Sequence, residues 1–381
     1  MKNKNFLIVT DSFYPDTTSA AQLLKDLHIK LIQKKKKVLI VCARDNQKFS
    51  KIKKKNNIIN VNCGSIKNKN LIIRGYNEYL LSKYLLDKSF KKISNFKPNV
   101  IICYSPSIFF RSFVKKIQTT FKCKSYLILR DIFPYWAIDC NLIKNIFVKM
   151  YLKYTFLKFI KIFNRVGVEA KFNIKFLRKK IKEINIEHLP NWIDIKNNVS
   201  NKKKINNSFI FSGNIGYGQD YKKVLRFYEK ISLFKNKYSI NILCQKRLKS
   251  SFLPISQNYN IRNLKIFNHK KYNSFLKFLS QYQYGIISLN DEIKTVNFPG
   301  RLLTYLLCKM PIILLTNKKN ELSEFITKHE IGCVVGEKTN IKNCLEDLAK
   351  IKKKFDKNNH NIIILKNYFN LEKNIEKIIK W

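Results

Sequence analysis

Short, uninterrupted runs of apolar residues alternate along the chain with longer segments in which apolar residues recur every three or four positions. The first run, Phe6–Thr10, is followed by a loop and by a segment, Ala20–Gln33, whose leucines share one helical face. The next run, Val38–Cys42, completes a β-α-β unit. Apolar runs of this length are typical of parallel strands that are covered on both faces. The pattern therefore predicts an α/β fold with parallel sheets, right-handed crossovers and ligands at the carboxyl ends of the strands.

The alternation continues through the rest of the chain. Further strands are predicted in the first half at Ile58–Asn62, Val100–Cys103, Tyr126–Leu129, Val166–Val168 and Ile184–Leu189. Helices are predicted there at Tyr76–Asn95, Pro106–Phe121 and Asn145–Asn164. In the second half, a strand that starts at Ser208 is followed by a helix at Tyr221–Phe234 and by strands at Ile240–Cys244, Leu264–Phe267, Tyr284–Ser288, Pro311–Leu315 and Cys333–Val335.

A chain of 381 residues exceeds a single hydrophobic core and predicts two domains. The segment Lys196–Asn207 is polar and without periodicity, so we interpret it as a linker between residues 1–195 and residues 208–381. The two halves share one architecture. Two such sheets that face each other would leave a cleft where their switch points meet.

Basic residues greatly outnumber acidic ones, 75 against 25, for a net charge of +50. The excess favours a negatively charged partner such as a membrane surface or nucleic acid. The lysines are nevertheless spread evenly, without a basic tail, as codon bias alone would produce, and no nucleic-acid motif is found.

Cysteine usage and the N-terminal pattern bear on location. The nine cysteines include no C-x-x-C pair and lie among apolar residues, so reduced thiols in the cytoplasm are expected. The apolar run at Phe6 is too short for a signal peptide, and no stretch reaches the 18 or so apolar residues that span a bilayer. The sequence therefore predicts a protein that is soluble or peripheral to a membrane.

A turn followed by a helix near residue 300 predicts an anion site. Pro299 and Gly300 form a turn, and Arg301 then opens a helix whose apolar residues include Leu302 and Leu306. Backbone N–H groups, the helix dipole and a guanidinium would converge there on an anion, for which phosphate is the natural candidate. The alternative is that Arg301 merely begins a surface helix.

Two further places carry candidate chemistry. The turn with Gly213, Asn214 and Gly216 would let backbone amides approach a diphosphate, or it is simply a tight β–α turn. Arg130 and Asp131 follow a buried strand, where an α/β domain places its ligand chemistry, although the pair could instead brace its loop.

The helix predicted at Asn145–Asn164 combines aromatic residues with Lys149, Lys153, Lys158 and Lys161. It could attach to an anionic membrane interface. Alternatively, it packs its aromatic face inward and its lysine side chains extend to the solvent.

Taken in order, several motifs resemble those of the family-4 retaining glycosyltransferases of the two-Rossmann GT-B fold. The motifs are FYPDTTSAAQLLKDL, LRDIFPYWAIDCNLIK, LPNWID, SGNIGYGQD and FPGRLLTYLLCKMPII. The branch that looks most similar contains bacterial N-acetyl-L-fucosamine transferases of O-antigen and capsule assembly. The resemblance covers most of the chain, and it allows a last helix that packs back on the N-terminal domain.

The resemblance implies roles for particular residues. Arg130 and Asp131 would act at the reacting sugar, where many relatives have a His-Asp pair. The donor would contact Gly213, Asn214, Gly216, Arg301 and Thr304. Asp11, Thr17, Thr18 and Ser19 would lie on the acceptor side in the first β–α loop, where relatives often have two glycines. Thr304 and Val296 stand where the broader family has two glutamates, so a threonine hydroxyl would replace a charged contact to the ribose.

No metal site is predicted, because no D-x-D occurs and the five histidines form no i, i+4 pair. No cofactor is expected either. The resemblance implies a metal-independent, retaining transferase that uses a nucleotide-sugar donor, of the UDP or dTDP type, and a lipid-linked saccharide acceptor at the cytoplasmic face. The alternatives are a non-catalytic GT-B subunit and a basic nucleic-acid-binding protein.

Overall fold

A computed structural model describes residues 4–46, 57–66, 71–105, 107–196, 204–213, 216–234, 238–245, 256–259, 261, 264–268, 270 and 272–380. The chain divides into two compact units. The first contains residues 1–190 and 372–381, and the second contains residues 191–371. Each unit is built on its own parallel sheet.

Seven parallel strands form the sheet of the first unit. They are β1 (Asn5–Thr10), β2 (Lys37–Arg44), β3 (Ile58–Asn62), β4 (Val100–Ser105), β5 (Lys124–Leu129), β6 (Arg165–Val168) and β7 (Ile186–His188). Their spatial order is β3-β2-β1-β4-β5-β6-β7, so the order reverses between β1 and β4. The helices are α1 (Ser19–Gln33), α2 (Leu71–Tyr79), α3 (Leu81–Phe96), α4 (Arg111–Phe121), α5 (Tyr135–Asp139), α6 (Ile146–Ile160) and α7 (Lys171–Arg178).

The continuous apolar runs are buried as the pattern predicts. Residues 6–10 of β1 and residues 100–105 of β4 are all buried, because helices cover both faces of a doubly wound sheet. One face is closed by a cluster to which α3, α4 and α6 contribute Leu85, Phe113 and Phe156.

Several predicted helix bounds in this unit are wrong. The helix expected at Tyr76–Asn95 is two helices that meet at Leu80, since Tyr76 and Tyr79 are exposed whereas Leu81 starts a buried face. The helix expected from Pro106 begins only at Arg111. There the Ser107 hydroxyl accepts a hydrogen bond from the Phe109 N–H (3.3 Å), a local bond that competes with helix formation.

Six parallel strands form the sheet of the second unit. They are β8 (Ser208–Ser212), β9 (Ser239–Cys244), β10 (Leu264–Asn268), β11 (Tyr284–Ser288), β12 (Ile312–Leu315) and β13 (Gly332–Val335), in the order β10-β9-β8-β11-β12-β13. The helices are α8 (Tyr221–Ser232), α9 (Tyr272–Leu279), α10 (Gly300–Leu307), α11 (Glu321–Lys328), α12 (Ile341–Asn358) and α13 (His360–Tyr368). Its strand order reverses between β8 and β11, so a ligand is expected beyond the ends of these two strands.

Of the segment that we interpret as a linker, Lys196–Asn207, residues 197–203 lie outside the described ranges. Its last residues pack on the second unit. The Lys204 ammonium donates to the carbonyl oxygens of Tyr282 and Cys308, both at 2.8 Å, and the Ile205 N–H donates to the Gln281 carbonyl.

The last helix, α14 (Leu371–Ile379), contributes nearly all of its length to the first unit. Ile375 and Ile378 are fully buried, and Glu372 forms an ion pair with Lys30 of α1. The Lys377 ammonium donates to the His188 carbonyl at the end of β7 (3.0 Å). The C-terminal residues are therefore an integral part of the N-terminal unit.

The nine cysteines are free thiols, and seven of them are buried. None of the helices within the described ranges is long and apolar enough to cross a membrane.

Candidate functional site

A buried tyrosine fixes helix α10 against the sheet of the second unit. The Tyr305 hydroxyl accepts a hydrogen bond from the Ser212 N–H at 2.9 Å and lies 2.9 Å from the Ser212 hydroxyl, at the end of β8. Its ring lies so close to Gly285 in β11 that a Cβ there would come within 2.4 Å of Tyr305 Cδ2. Strand β11 therefore needs glycine at this position, and α10 packs over the face of β8 and β11.

The same helix brings Arg301 onto the turn that follows β8. Arg301 lies one turn before Tyr305, and its guanidinium carbon is 4.9 Å from the centre of the Phe211 ring. Gly213 has a φ of +140°, and a Cβ there would lie 2.2 Å from Arg301 Nη2. Only glycine suits this backbone and this contact. The structure thus brings together two of the residues that the sequence predicted to bind the donor.

The Arg301 guanidinium is poorly compensated. Burial lowers its pKa, an effect that Tyr305 partly opposes. Its Nη1 atom is buried and has no hydrogen-bond partner in the part of the chain that the structure describes, and no carboxylate there forms an ion pair with it. A buried cation usually has a bonded partner, so this atom is suited to receive an anion from outside the chain.

The other residues predicted to bind the donor are Gly216, Asn214 and Thr304, and the structure describes two of them. A Cβ added at Gly216 would have no atom within 4 Å, so packing alone does not demand glycine there. Asn214 lies outside the described residues. Thr304 is buried, and its hydroxyl donates to the Arg301 carbonyl (3.0 Å), which leaves its lone pairs to accept from a ligand hydroxyl.

Sequence reasoning missed an acidic residue of the second unit that follows β11. Asp291, after β11, binds the Lys223 ammonium (2.5 Å), the Thr316 hydroxyl (2.6 Å) and the Asn317 N–H (3.1 Å). Burial raises its pKa, but these three donors outweigh that effect and the pKa is lowered. The partners come from two remote segments, Lys223 on α8 and Thr316–Asn317 after β12, so no spacing along the chain could have revealed the cluster.

In the first unit, Asp131 and Asp11 lie at the carboxyl ends of β5 and β1, on either side of β4. Burial raises the pKa of Asp131, the negative charge of Asp11 raises it further, and Arg130 opposes both. Two carboxylates whose charges interact in this way are suited to hold a proton or to bind sugar hydroxyls.

Arg130 is directed toward a different part of the unit. Its guanidinium donates to the carbonyl oxygens of Leu189 and Pro190, in the segment after β7. Burial lowers its pKa, whereas the charge of Glu169 and other nearby groups raises it. These bonds tie the Arg130 side chain to the segment after β7.

The first β–α loop is held by a buried ion pair that the sequence did not indicate. Arg44 of β2 binds the Asp16 carboxylate at 2.9 Å and donates to the Phe13 and Tyr14 carbonyl oxygens. A charged residue at the end of a strand gives no sign of its partner 28 positions earlier.

The predicted acceptor-side residues in this loop have different environments. The Thr18 side chain caps α1 by accepting from the Ala21 N–H, and it also bonds to the Ser12 hydroxyl (2.6 Å). Ser19 is the first residue of α1, and both Ser19 and Thr17 are exposed. Of these four residues, Asp11 carries the charge that raises the pKa of Asp131.

Among the described residues, no group of three or more His, Cys, Asp or Glu side chains is placed to hold a metal ion.

The sequence matches no protein-family model and no curated protein. Solved structures, in contrast, match it over its whole length. Sucrose-phosphate synthase from Thermosynechococcus elongatus superimposes with a TM-score of 0.70 at 9% identity, covering 99% of this chain and 98% of that one. WaaG, a glycosyltransferase involved in lipopolysaccharide biosynthesis, gives 0.65 at 10% identity, covering 98% of this chain and 99% of that one.

The UDP-GlcNAc 2-epimerase from Methanocaldococcus jannaschii is also similar, with a TM-score of 0.53 at 14% identity, covering 99% of this chain and 98% of that one. Two all-parallel α/β units and these matches define a GT-B fold. This confirms the predicted fold class. Since an epimerase shares the fold, the fold alone does not determine the reaction.

Proposed function

We propose that this protein is a glycosyltransferase that moves a sugar from a nucleotide diphosphate donor to a saccharide acceptor. The observation that carries the proposal is the buried Arg301 guanidinium against Gly213, with Nη1 unpartnered in the described part of the chain. A guanidinium beside a glycine turn at a strand-order reversal suits a diphosphate. The similarity to sucrose-phosphate synthase and to WaaG supports transfer to an acceptor.

The second unit would hold the donor and the first unit the acceptor. We propose that Arg301, the Gly213 turn and Gly216 bind the diphosphate, and that the Thr304 hydroxyl accepts from a ribose hydroxyl. Arg130 and Asp131 would act at the reacting sugar, where Asp131, with Asp11 near it, would orient sugar hydroxyls or assist the acceptor. Thr17, Thr18 and Ser19 would border the acceptor.

The leaving diphosphate would be stabilised by the positive Arg301, by the start of α10 and by the backbone amides of the turn, without a metal ion. We further propose a retaining outcome, a UDP- or dTDP-type donor, and a lipid-linked acceptor in O-antigen or capsule assembly at the cytoplasmic face. The motif resemblance and the free thiols support these finer assignments.

Thermal-shift screening of the full chain against UDP, dTDP, GDP and CMP tests the donor site. A ligand that binds only the folded protein stabilises it by about 2.7 kcal/mol at 100 times its Kd, which would raise the Tm by several degrees. The free nucleosides serve as controls, because they lack the diphosphate. If none of the nucleotides raises the Tm above its nucleoside control, the proposal fails.

Binding alone would also fit a non-catalytic GT-B subunit, which the missing family glutamates at Thr304 and Val296 suggest. To separate a transferase from a non-catalytic subunit, the protein is incubated with the sugar nucleotide that it binds, with and without membrane extracts. The products are then identified by mass spectrometry. Release of the nucleoside diphosphate indicates a transferase, and binding without turnover under any of these conditions indicates the non-catalytic subunit.

A further inference from the structure

Helix α6 of the first unit has two apolar faces. Phe156, Phe159 and Ile160, in its last two turns, are fully buried in the core, and Leu152 packs against the same cluster. This part fits the expectation that the helix packs an apolar face inward. It accounts for fewer than half of the apolar residues of the helix.

The other apolar face is exposed. Ile146, Met150 and Tyr154 follow each other at intervals of four along the helix, and Phe147 and Tyr151 lie beside them. Their exposed fractions are 59%, 63%, 59%, 76% and 51%, in that order. We refer to these five residues as the exposed face of α6. Scattered single apolar residues are normal on a protein surface, but five adjoining ones indicate a binding surface.

The charges around this face have one sign. Between Asp139 and Glu169 the chain has no acidic residue, while it has five lysines and one arginine, namely Lys144, Lys149, Lys153, Lys158, Lys161 and Arg165. The Lys158 ammonium lies 5.0 Å from the centre of the Tyr154 ring, and Lys153 lies 5.8 Å from that of Tyr135. Lysines therefore border the exposed face without interrupting it.

We propose that the exposed face of α6 inserts into the interface of an anionic lipid bilayer. Aromatic and aliphatic side chains would enter the headgroup boundary, and the bordering lysines would contact lipid phosphates. The face covers about nine residues, or about 13 Å of helix, which is far short of the roughly 30 Å hydrocarbon core. It would therefore lie in one leaflet.

A second copy of this chain is a poorer occupant. A symmetric dimer through the exposed face would bring two sets of these lysines together, in a protein that already carries a charge of +50. An anionic bilayer satisfies the apolar residues and the lysines at once. The proposal does not rest on glycosyl transfer, since it concerns a surface of the first unit alone.

Sedimentation with vesicles tests whether the exposed face of α6 binds an anionic bilayer. The full chain is sedimented with vesicles of phosphatidylcholine, with or without phosphatidylglycerol. We expect binding to the anionic vesicles. A variant with Phe147→Ser, Met150→Ser and Tyr151→Ser should lower the partition coefficient more than tenfold. The matched control carries Tyr76→Ser and Tyr79→Ser on α2, where both tyrosines are similarly exposed (65% and 68%), and it should bind as the wild type does.

The lysines are tested by a second pair of variants with equal charge change. Replacing Lys149, Lys153, Lys158 and Lys161 with Gln should weaken binding at 0.1 M salt several-fold more than replacing Lys83, Lys88, Lys91 and Lys92 of α3, which are all exposed. Equal losses in the two variants would mean that the overall charge alone attracts the vesicles, and would overturn the proposal.

Two more results would overturn it. One is the absence of binding to anionic vesicles, and the other is a dimer in sedimentation velocity that the triple serine variant abolishes. If that variant does not fold, Phe147→Trp replaces it. With anionic vesicles, the tryptophan emission of this variant should shift to the blue. Brominated lipid should quench it more strongly than it quenches the emission of the wild type, and an unchanged spectrum would contradict insertion.

Discussion

Arg301 is the residue on which the proposed donor site depends most. Its charge is desolvated, and its guanidinium lies over the Phe211 ring. A charge-assisted hydrogen bond to phosphate contributes about 1.5–3 kcal/mol, or roughly ten- to a hundred-fold in affinity. The guanidinium should therefore discriminate a nucleoside diphosphate from its nucleoside.

Arg301→Ala should weaken diphosphate binding by about ten- to a hundred-fold and leave the weak binding of the free nucleoside unchanged. Isothermal titration of each ligand measures both. Arg226→Ala is the control, because Arg226 is an exposed arginine on α8 of the same unit and should not affect either ligand. Equal losses for nucleoside and diphosphate would contradict the phosphate assignment.

The two glycines of the turn should respond differently to alanine. Gly213→Ala forces a side chain into a φ of +140° and against the Arg301 guanidinium, so both stability and diphosphate affinity should fall. Gly216→Ala meets open space and should change the Tm by less than about a degree. Differential scanning fluorimetry with and without diphosphate compares the pair. Any loss of affinity in Gly216→Ala would then report a ligand that approaches its backbone.

Asp131→Asn should lower turnover by about 10²–10⁴, the range for a positioned acid–base or orienting group, and leave nucleotide affinity unchanged. Its raised pKa means that ionised Asp131 costs stability above that pKa, and the cost disappears as the pH falls through it. The variant should therefore melt no lower than the wild type at pH 7, and the wild type should gain relative to it on acidification. Full activity with a lower Tm would refute the catalytic role.

At the scale of elements, the strands were predictable because each buried parallel strand is an uninterrupted apolar run. Strand β11 (Tyr284–Ser288) was predicted with the bounds it has, and β12 differs from its prediction only at Pro311. Helix limits were harder. Local hydrogen bonds such as that of Ser107 decide where a helix starts, and α6 has apolar residues on two faces, which a search for one apolar stripe cannot separate.

The candidate site was predictable to the extent that each residue follows a strand or opens a helix. Gly213, Arg301 and Asp131 occupy such positions. The partners of Asp291 and Arg44 lie on remote segments, so only the fold identifies them. The bonds from Arg130 to residues 189 and 190 also join segments that are remote along the chain, so only the fold identifies them.

Helix α14 should stabilise the first unit although it ends the chain. Ile375→Ala and Ile378→Ala each remove buried methyl groups and should cost about 2–5 kcal/mol of unfolding free energy. Glu372→Gln removes an exposed carboxylate from its ion pair with Lys30 and should cost at most about 1 kcal/mol. Urea unfolding measures the loss of unfolding free energy in each of the three variants. Small losses for both isoleucine variants would show that α14 is dispensable.

For the molecule as a whole, the charge of +50 should make stability depend on salt. Repulsion among 75 basic residues opposes compaction, and its range falls from about 10 Å at 0.1 M salt to about 3 Å at 1 M. The Tm should therefore rise with sodium chloride over this range. Arg301→Ala is the control, since a rise caused by anion binding at that site would vanish in the variant. A Tm that falls with salt would mean that ion pairs outweigh the repulsion.

The bond between Tyr305 and Ser212 also determines when the proposed donor site can form during synthesis. Gly213 leaves the ribosome long before Arg301, and strand β11, against which Tyr305 packs, lies on the side of β8 away from β9. A nascent chain that ends before residue 305 can pair β8 with β9 and β9 with β10, but it lacks the tyrosine that fixes α10. Nucleotide in the cell could therefore not help the early part of this unit to fold, and could act only on the nearly finished protein.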